Sequence, residues 1–486
     1  MSSALDGAAP RAEPATRMST EPPGAPEDSQ SRHDWLTSLD RAHVWHPFTQ
    51  MQTWLEPLPG DEPVIIDQAR GCWLFDTKGR KYLDAISSLW VNVHGHRKPE
   101  IDRAIKLQLE YVGHTTLLGL ASPPSIELAA QLVQRAPRFE GQPVLNKVFY
   151  SDSGSTAVEV ALKIAFQHWR LRGKPKKAKF VALGEAYHGD TIGAVSVGGM
   201  DIFHQIFHPL LFDVLRVPTP YVYRWPTGAR HCLEASALAA EAIIAGRHEE
   251  IAAFILEPLV QGAAGIITHP PGYLRRIAKA CRDYGVLLVC DEVATGFGRT
   301  GSLFACEQER VVPDILCLAK GLSGGYLPLA ATLVTDEIYE SFLGPFESKR
   351  TFFHGHSYTG NPLGCAAALA SLRIFDEENA LEHGWQMAQR LEKGLKEIAK
   401  LEHVGDVRQR GLMIGIELVK DRRSKEEYPY EDRIGHRVCL AGRKREIMLR
   451  PLGSVIVILP PLSINAAEVD LLTEAVRDSI REVTEG

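Results

Sequence analysis

From about residue 145 the chain alternates short apolar runs with helix-length segments, and no other feature restricts its fold as much. VFY (148–150) is followed by TAVEVALKIAFQHWRL. KFVAL, AAFILE, VLLVC, DILCLA and LAATLV then appear, most of them separated by enough residues for a helix. Unbroken apolar runs suit strands covered on both faces, and helix-length connections carry the chain back to the same sheet. The pattern therefore predicts an α/β architecture with a mainly parallel sheet and crossover helices. Ligands in such sheets sit beyond the carboxyl ends of the strands, so chemistry is expected on that rim.

After about residue 370 the character changes. The amphipathic stretch EHGWQMAQRLEKGLKEIAKL precedes RGLMIGIELV and SVIVILPPL, which predicts a smaller α+β domain. The expected division is a large domain over 86–370 and a small domain made of an N-terminal part over 34–85 and a C-terminal part over 371–486. Residues 1–33, rich in Pro, Ala, Ser and Glu with almost no large apolar side chain, are expected to lack structure.

A chain of 486 residues, 45% hydrophobic and 23% charged, can bury a large core. Its net charge of -6 supplies no basic field for nucleic acid or anionic lipid, so the expected partners are small molecules and a second copy of the chain. Its 8 cysteines contain no CxxC pair and several lie inside apolar runs, as expected of free thiols in a reducing cytoplasm; no metal site is predicted. IAAFILEPLVQGAAGII (251–267) is interrupted by Glu257, Gln261, glycine and proline, and fails as a membrane span.

Several motifs fall on the expected rim. VLLVCDEVATGFGRTG (286–301) ends an apolar run in two adjacent carboxylates, Asp291 and Glu292, which are costly to bury unless a cation or several donors meet them. The glycines 296, 298 and 301 spell GxGxxG, but DEVAT intervenes between strand and loop and no acidic residue closes a second strand at the required spacing, so dinucleotide binding fits poorly. Lys320, just after DILCLA, lies on the same rim and is followed by Gly321, Gly324 and Gly325. A lysine there is most often a surface residue reaching for water. Beside a carboxylate it acquires a chemical reading, because a pyridinium aldehyde cofactor needs a lysine to condense with its aldehyde and a carboxylate to keep its ring nitrogen protonated. Such a cofactor carries a phosphate, and SDSGSTAVE (151–159) offers Gly154 and Ser155 in a turn before a helix, with Thr156 and Glu159 spaced as a capping box. EAYHGDT places Tyr187 and His188 after strand KFVAL, where an aromatic face would cover the ring.

YHGDT, EPLVQGAAG, DEVATGFGRTG, CLAKGLSGG and HGHSYTGNP resemble, in order and spacing over about residues 40–480, the class III pyridoxal-phosphate aminotransferases of fold type I. HVWHPFTQM, SSLWVNVHGH, GDTIGAVSVG and LRPLG are similar to the branch that aminates 7-keto-8-aminopelargonate in biotin biosynthesis, and Ala294 stands where ornithine and GABA aminotransferases usually have glutamine. The resemblance implies pyridoxal 5'-phosphate as cofactor and a homodimer with shared active sites. It implies Lys320 as the residue condensed with the cofactor, Asp291 at the pyridine nitrogen, Tyr187 stacked on the ring, Glu257 supporting the site, and Gly154 with Ser155 at the phosphate. Ser357, from HGHSYTGN, would reach the phosphate of the neighbouring subunit. Arg450 would bind the remote carboxylate of the acceptor, and Trp90, Gly355, Phe48 and, less strongly, Arg299 would also meet substrate. Phe48 and Leu89 replace a tyrosine and a tryptophan found in members that use S-adenosylmethionine, and His356 replaces a common proline. The amino donor therefore stays open between lysine and S-adenosylmethionine, with lysine slightly ahead. A general omega-aminotransferase and a silent cofactor-binding regulator are the competing readings.

Overall fold

The computed structural model describes residues 28–57 and 60–486. Most of the segment expected to lack structure thus lies outside the described residues. Its last part is a correction: a helix runs over Ser29–His43, begun by the Asp28 side chain accepting from Ser31 N. The chain divides into two compact units. Of the described residues, one comprises 28–57, 60–67 and 75–80, the other 68–74 and 81–486. In the first, the Ser29–His43 helix is pinned by His33 Nδ1, 2.6 Å from Thr77 Oγ1, and Asp40 holds both His46 and Trp54.

The second unit is built on a seven-stranded sheet: β1 (Lys147–Ser151), β2 (Lys179–Leu183), β3 (Val214–Val217), β4 (Ile251–Leu256), β5 (Leu287–Asp291), β6 (Ile315–Leu318) and β7 (Ala330–Val334), in the order β1-β7-β6-β5-β4-β2-β3. Every residue of β4, β5, β6 and β7 is buried, as strands covered on both faces require. Alternate side chains feed two cores. Ala253, Ile255, Leu287, Val289 and Ile315 pack with α1 (Gly154–Leu171), while Phe254, Leu256, Leu288 and Leu316 pack with α2 (Ala229–Arg247) and α3 (Tyr273–Asp283). Each such aliphatic or aromatic side chain contributes roughly 1.5–3 kcal/mol by leaving water.

The strands β3, β2, β4, β5 and β6 are parallel to one another, as the alternation predicts, but β7 runs antiparallel to both β6 and β1. The cause is the connection. Residues 319–329 hold only a short 3-10 turn (Lys320–Ser323), whereas a parallel return needs a crossover of a dozen or more residues, usually a helix. The cap of α1 also differs from expectation: Ser153 and Thr156 form the capping box, and Glu159 instead accepts from Gly193 N at 2.7 Å.

Farther along the chain, a second antiparallel sheet is formed by β8 (Val404–Arg410), β9 (Met413–Leu418), β10 (Arg450–Leu452) and β11 (Val455–Ile458), in the order β8-β9-β11-β10. Helices Ala380–Ile398, Ile434–Arg443 and Ala466–Thr484 accompany it, which gives this region the mixed composition read from its sequence. Among the described residues no helix is long and apolar enough to cross a membrane.

Candidate active site

The carboxyl ends of β2, β4, β5 and β6 and the start of α1 open onto one cavity of about 720 Å³. Asp291 closes β5 and faces it. Its Oδ2 accepts from His188 Nδ1 at 2.7 Å and its Oδ1 from Val293 N at 3.0 Å, so the buried carboxylate is met by a donor on each oxygen. The adjacent Glu292 points the other way. It accepts from Thr295 Oγ1 at 2.6 Å, Ala305 N at 2.9 Å and Cys306 N at 2.8 Å, and burial pushes its carboxyl up to about 7. Of the two carboxylates at the strand end, one serves the cavity and the other anchors the loop behind it. That loop, which carries the GxGxxG glycines, leads through turns to a short 3-10 segment (Ala305–Glu309), not into the helix that a dinucleotide phosphate requires.

Lys320 follows β6, the neighbour of β5, with a left-handed backbone (φ +44°). Its Nζ lies 4.6 Å from the centroid of the Trp90 ring. Burial pushes this amine down to about 8, against the opposing pull of Asp291 and Glu257. Among the described residues no ion pair joins Lys320 to Asp291, although both line the cavity. Glu257, after β4, is buried and held from both sides: Oε1 accepts from Tyr187 N at 3.2 Å and Oε2 from Gly262 N at 2.8 Å. Burial is the largest influence on this carboxyl and pushes it up to about 7, with Asp291 adding to the rise. Tyr187 lines the cavity and donates its hydroxyl to Asp190 Oδ2 at 2.8 Å.

Gly154 and Ser155 stand in the first turn of α1, where no preceding turn can accept from their amides. Ser155 Oγ accepts from Thr191 N at 3.0 Å, which ties the helix start to the loop after Tyr187. Gly189 (φ +112°) permits that approach, because a Cβ there would lie 2.4 Å from Ser155 Oγ.

A family model, aminotransferase class-III, matches residues 58–480. The chain belongs to the class-III aminotransferases. Among relatives of this aminotransferase, the adenosylmethionine-8-amino-7-oxononanoate aminotransferase of Nitratidesulfovibrio vulgaris is 55% identical over 95% of this chain and 84% of its own. The solved structure of the enzyme so named from Methanocaldococcus jannaschii superposes with a TM-score of 0.87 at 46% identity, covering 93% of this chain and 99% of its own. An (S)-enantioselective omega-transaminase from Thermomicrobium roseum also gives 0.87, at 38% identity over 93% and 98% of the two chains.

Class-III aminotransferases work with pyridoxal phosphate, and the cavity of this one suits it. A lysine and a carboxylate face the cavity without touching each other, an aromatic ring lines the wall, and a helix start offers main-chain donors. His188 Nε2 and Trp90 Nε1 are buried without partners at its edge.

Other expected residues lie elsewhere. Arg299, expected to meet substrate, is fully buried and spends its guanidinium on the protein: Nη1 donates to Ser87 Oγ and Pro460 O, Nη2 to Trp90 O and Asn92 O. Burial accounts for this use, since such a group needs every acceptor the backbone can offer. Arg450, the first residue of β10, is half-buried without an ion pair among the described residues, and burial pushes its guanidinium below the usual range; Tyr187 is among the groups that act on it electrostatically. Gly355 and Ser357 are exposed on the 351–360 loop, where Ser357 O accepts from His114 Nε2 at 2.8 Å. Phe48 belongs to the first unit, on an exposed turn with φ +51°. Leu89 is 46% exposed and does not line the cavity, although Trp90 beside it does. His188 stands beside Tyr187 in the loop after β2, and its pairing with Asp291 at the end of β5 is a long-range contact that spacing does not reveal.

Proposed function

We propose that this aminotransferase transfers an amino group to 8-amino-7-oxononanoate, giving 7,8-diaminopelargonate for biotin. The observation that carries this reading is the pairing of the lysine-carboxylate cavity with a half-buried, unpaired Arg450, because a keto acid with a distant carboxylate needs one guanidinium away from the chemistry. The names borne by the Nitratidesulfovibrio and Methanocaldococcus relatives support it.

Pyridoxal phosphate, when bound, supplies an aldehyde that takes the amine and a ring that accepts negative charge from the substrate carbon. Asp291 would hold the ring nitrogen protonated, and His188, donating to Oδ2, fixes the carboxylate's orientation. Gly154 and Ser155 would bind the phosphate through amides at the start of α1, with Ser357 of a second copy completing that seat. Tyr187 would cover the ring, anchored by Glu257 at its backbone and by Asp190 at its hydroxyl. The Lys320 amine, once free, would take the proton from the substrate carbon and return it on the other side of the transfer. The lowered affinity of this amine for protons suits that exchange near neutral pH. Trp90 would exclude water from it. Gly355 and Phe48 remain candidates for substrate contact.

For the donor we favour S-adenosylmethionine. The relatives' names include it, and an exposed Leu89 removes one of the two reasons for preferring lysine. Loss of the cofactor's visible band on mixing with S-adenosylmethionine, and none with lysine, is the expected result; the reverse would restore lysine.

Arg450→Ala should raise the KM for the acceptor by about ten- to a hundredfold, the equivalent of one charge-assisted pair, and leave single-turnover reaction with the donor unchanged. Equal loss in both half-reactions would count against acceptor binding at Arg450.

A homodimer is also proposed. Leu118, Phe353 and Tyr358 are 90%, 80% and 62% exposed, a concentration of apolar surface near Ser357 that a second copy would cover. Light scattering should give twice the mass of the chain, and a monomer with full activity would refute shared sites. The proposed arrangement keeps 86–370 as the cofactor-binding domain and 371–486 as the small domain. The eight free, buried thiols agree with a reducing cytoplasm.

A further inference from the structure

Trp90 reaches Lys320 from an unusual piece of backbone. Ser87, Ser88, Leu89 and Trp90 have φ of +50°, +47°, +69° and +70°, so four successive residues that are not glycine take the left-handed conformation. L-residues visit that region singly, because each Cβ crowds the following carbonyl oxygen; a run of four persists only where its surroundings impose it.

The surroundings can be named. Asp84, fully buried at the end of a strand (Lys81–Asp84), grips the turn: Oδ1 accepts from Ser88 N at 2.9 Å and Oδ2 from Ser88 Oγ at 2.9 Å. The same Oδ2 accepts from His96 Nε2 at 2.9 Å, which fixes the carboxylate's plane. Register with Ile447–Met448 fixes the strand itself, pairing Asp84 with Met448. From the other side Ser87 Oγ donates to Leu459 O at 2.7 Å, and Arg299 binds the carbonyls of Trp90 and Asn92. The ring so delivered is closely confined, since a Cβ on Gly262 would sit 3.0 Å from Trp90 Cζ3. If residues 88 and 89 relaxed to right-handed or extended backbone, the direction of the Trp90 side chain would change and the confined ring would leave the lysine.

We infer that Asp84 is a positioning residue for the reactive amine: by holding residues 87–90 left-handed it keeps the Trp90 ring over Lys320 Nζ and water away from it. Asp84 touches neither Lys320 nor the cavity. It acts through Ser88 and the turn. The inference rests on the reading of Lys320 as the reactive lysine but on no assignment of substrate.

The test uses the full chain freed of cofactor, labelled with acetic anhydride across pH, with acetylation of Lys320 followed by mass spectrometry. The parent should show a midpoint near 8 for Lys320. Asp84→Asn should move it upward by about one unit as water reaches the amine, since burial is the main cause of its lowering. Leu89→Gly added to Asp84→Asn should restore most of the shift, because glycine adopts positive φ without strain and Leu89 is exposed. An unchanged midpoint in folded Asp84→Asn overturns the inference, as does a shift that Leu89→Gly fails to reverse, which would mean general loosening. If Asp84→Asn does not fold, Ser88→Ala removes a single grip and should give a smaller upward shift; none would overturn it. Labelling needs neither cofactor nor substrate. A parent with the expected profile but no aminotransferase activity would therefore reject the proposed function and leave this inference standing.

Discussion

Lys320→Ala should abolish the visible band of the cofactor-loaded protein and lower turnover by about a thousandfold or more, since general acid-base catalysis alone contributes about 10²–10⁴-fold. Among the described residues the amine is the one lysine on the cavity wall, and it has no carboxylate within ion-pairing distance. Lys320→Arg should fare no better, because a guanidinium stays protonated and cannot act as a nucleophile or base. The pH profile follows from the direction of the shift. With the amine lowered from 10.5 to about 8, the neutral form becomes the majority above about pH 8, so capture of pyridoxal phosphate by the cofactor-free protein should accelerate between pH 7 and 9 and then level. A Lys320→Ala protein that keeps its band after dialysis and still turns over would remove the lysine from the chemistry altogether.

Asp291→Asn is expected to leave the fold intact and lower turnover by at least about a hundredfold. The asparagine carbonyl can still accept from Val293 N, so the strand end keeps one of its two ties. Its amide cannot hold a proton on a ring nitrogen as an anion does, and the amide hydrogens would face His188 Nδ1, which must then change tautomer to accept. The measurement is steady-state turnover beside a thermal melt. A loss of stability as large as the loss of rate would identify Asp291 as a structural carboxylate. Near-normal turnover would place the ring nitrogen elsewhere.

The strands and the rim on which Asp291, Lys320, Tyr187 and Gly154 meet were legible because unbroken apolar runs specify buried strands, and strand ends specify where ligands collect. Direction was less legible. Nothing in the composition of LAATLV distinguishes a parallel from an antiparallel strand; only the short connection from Leu318 does, and a Gly-rich stretch does not announce that it lacks a crossover helix. Neither could the sequence say which of Asp291 and Glu292 faces the cavity. Successive side chains on a strand take opposite faces, so one had to turn away, but the packing of the layers decides which. The partners of Arg299 were hidden for a related reason. Its place in a rim loop suggests access to substrate, whereas its acceptors at Trp90, Asn92 and Pro460 come from segments far away in the chain. The cap at Ser153 was obscured because Thr156 and Glu159 offered an equally regular spacing one turn later.

The antiparallel strand β7 also sets a schedule for the newborn chain. β1 lies at the sheet edge and pairs with β7 alone, Ser151 opposite Ala330, so the strand that leads into the Gly154 turn has no neighbour until residues 330–334 have been synthesised. Strands β2 to β5 can assemble during translation while β1, which leads into the cavity wall at Gly154, is still an unpaired ribbon. Contacts spanning so much sequence form slowly and expose strand edges while they wait. A chain ending before residue 330 would therefore hold most of the sheet but leave the edge of β1 unpaired, the place where a chaperone has most to protect.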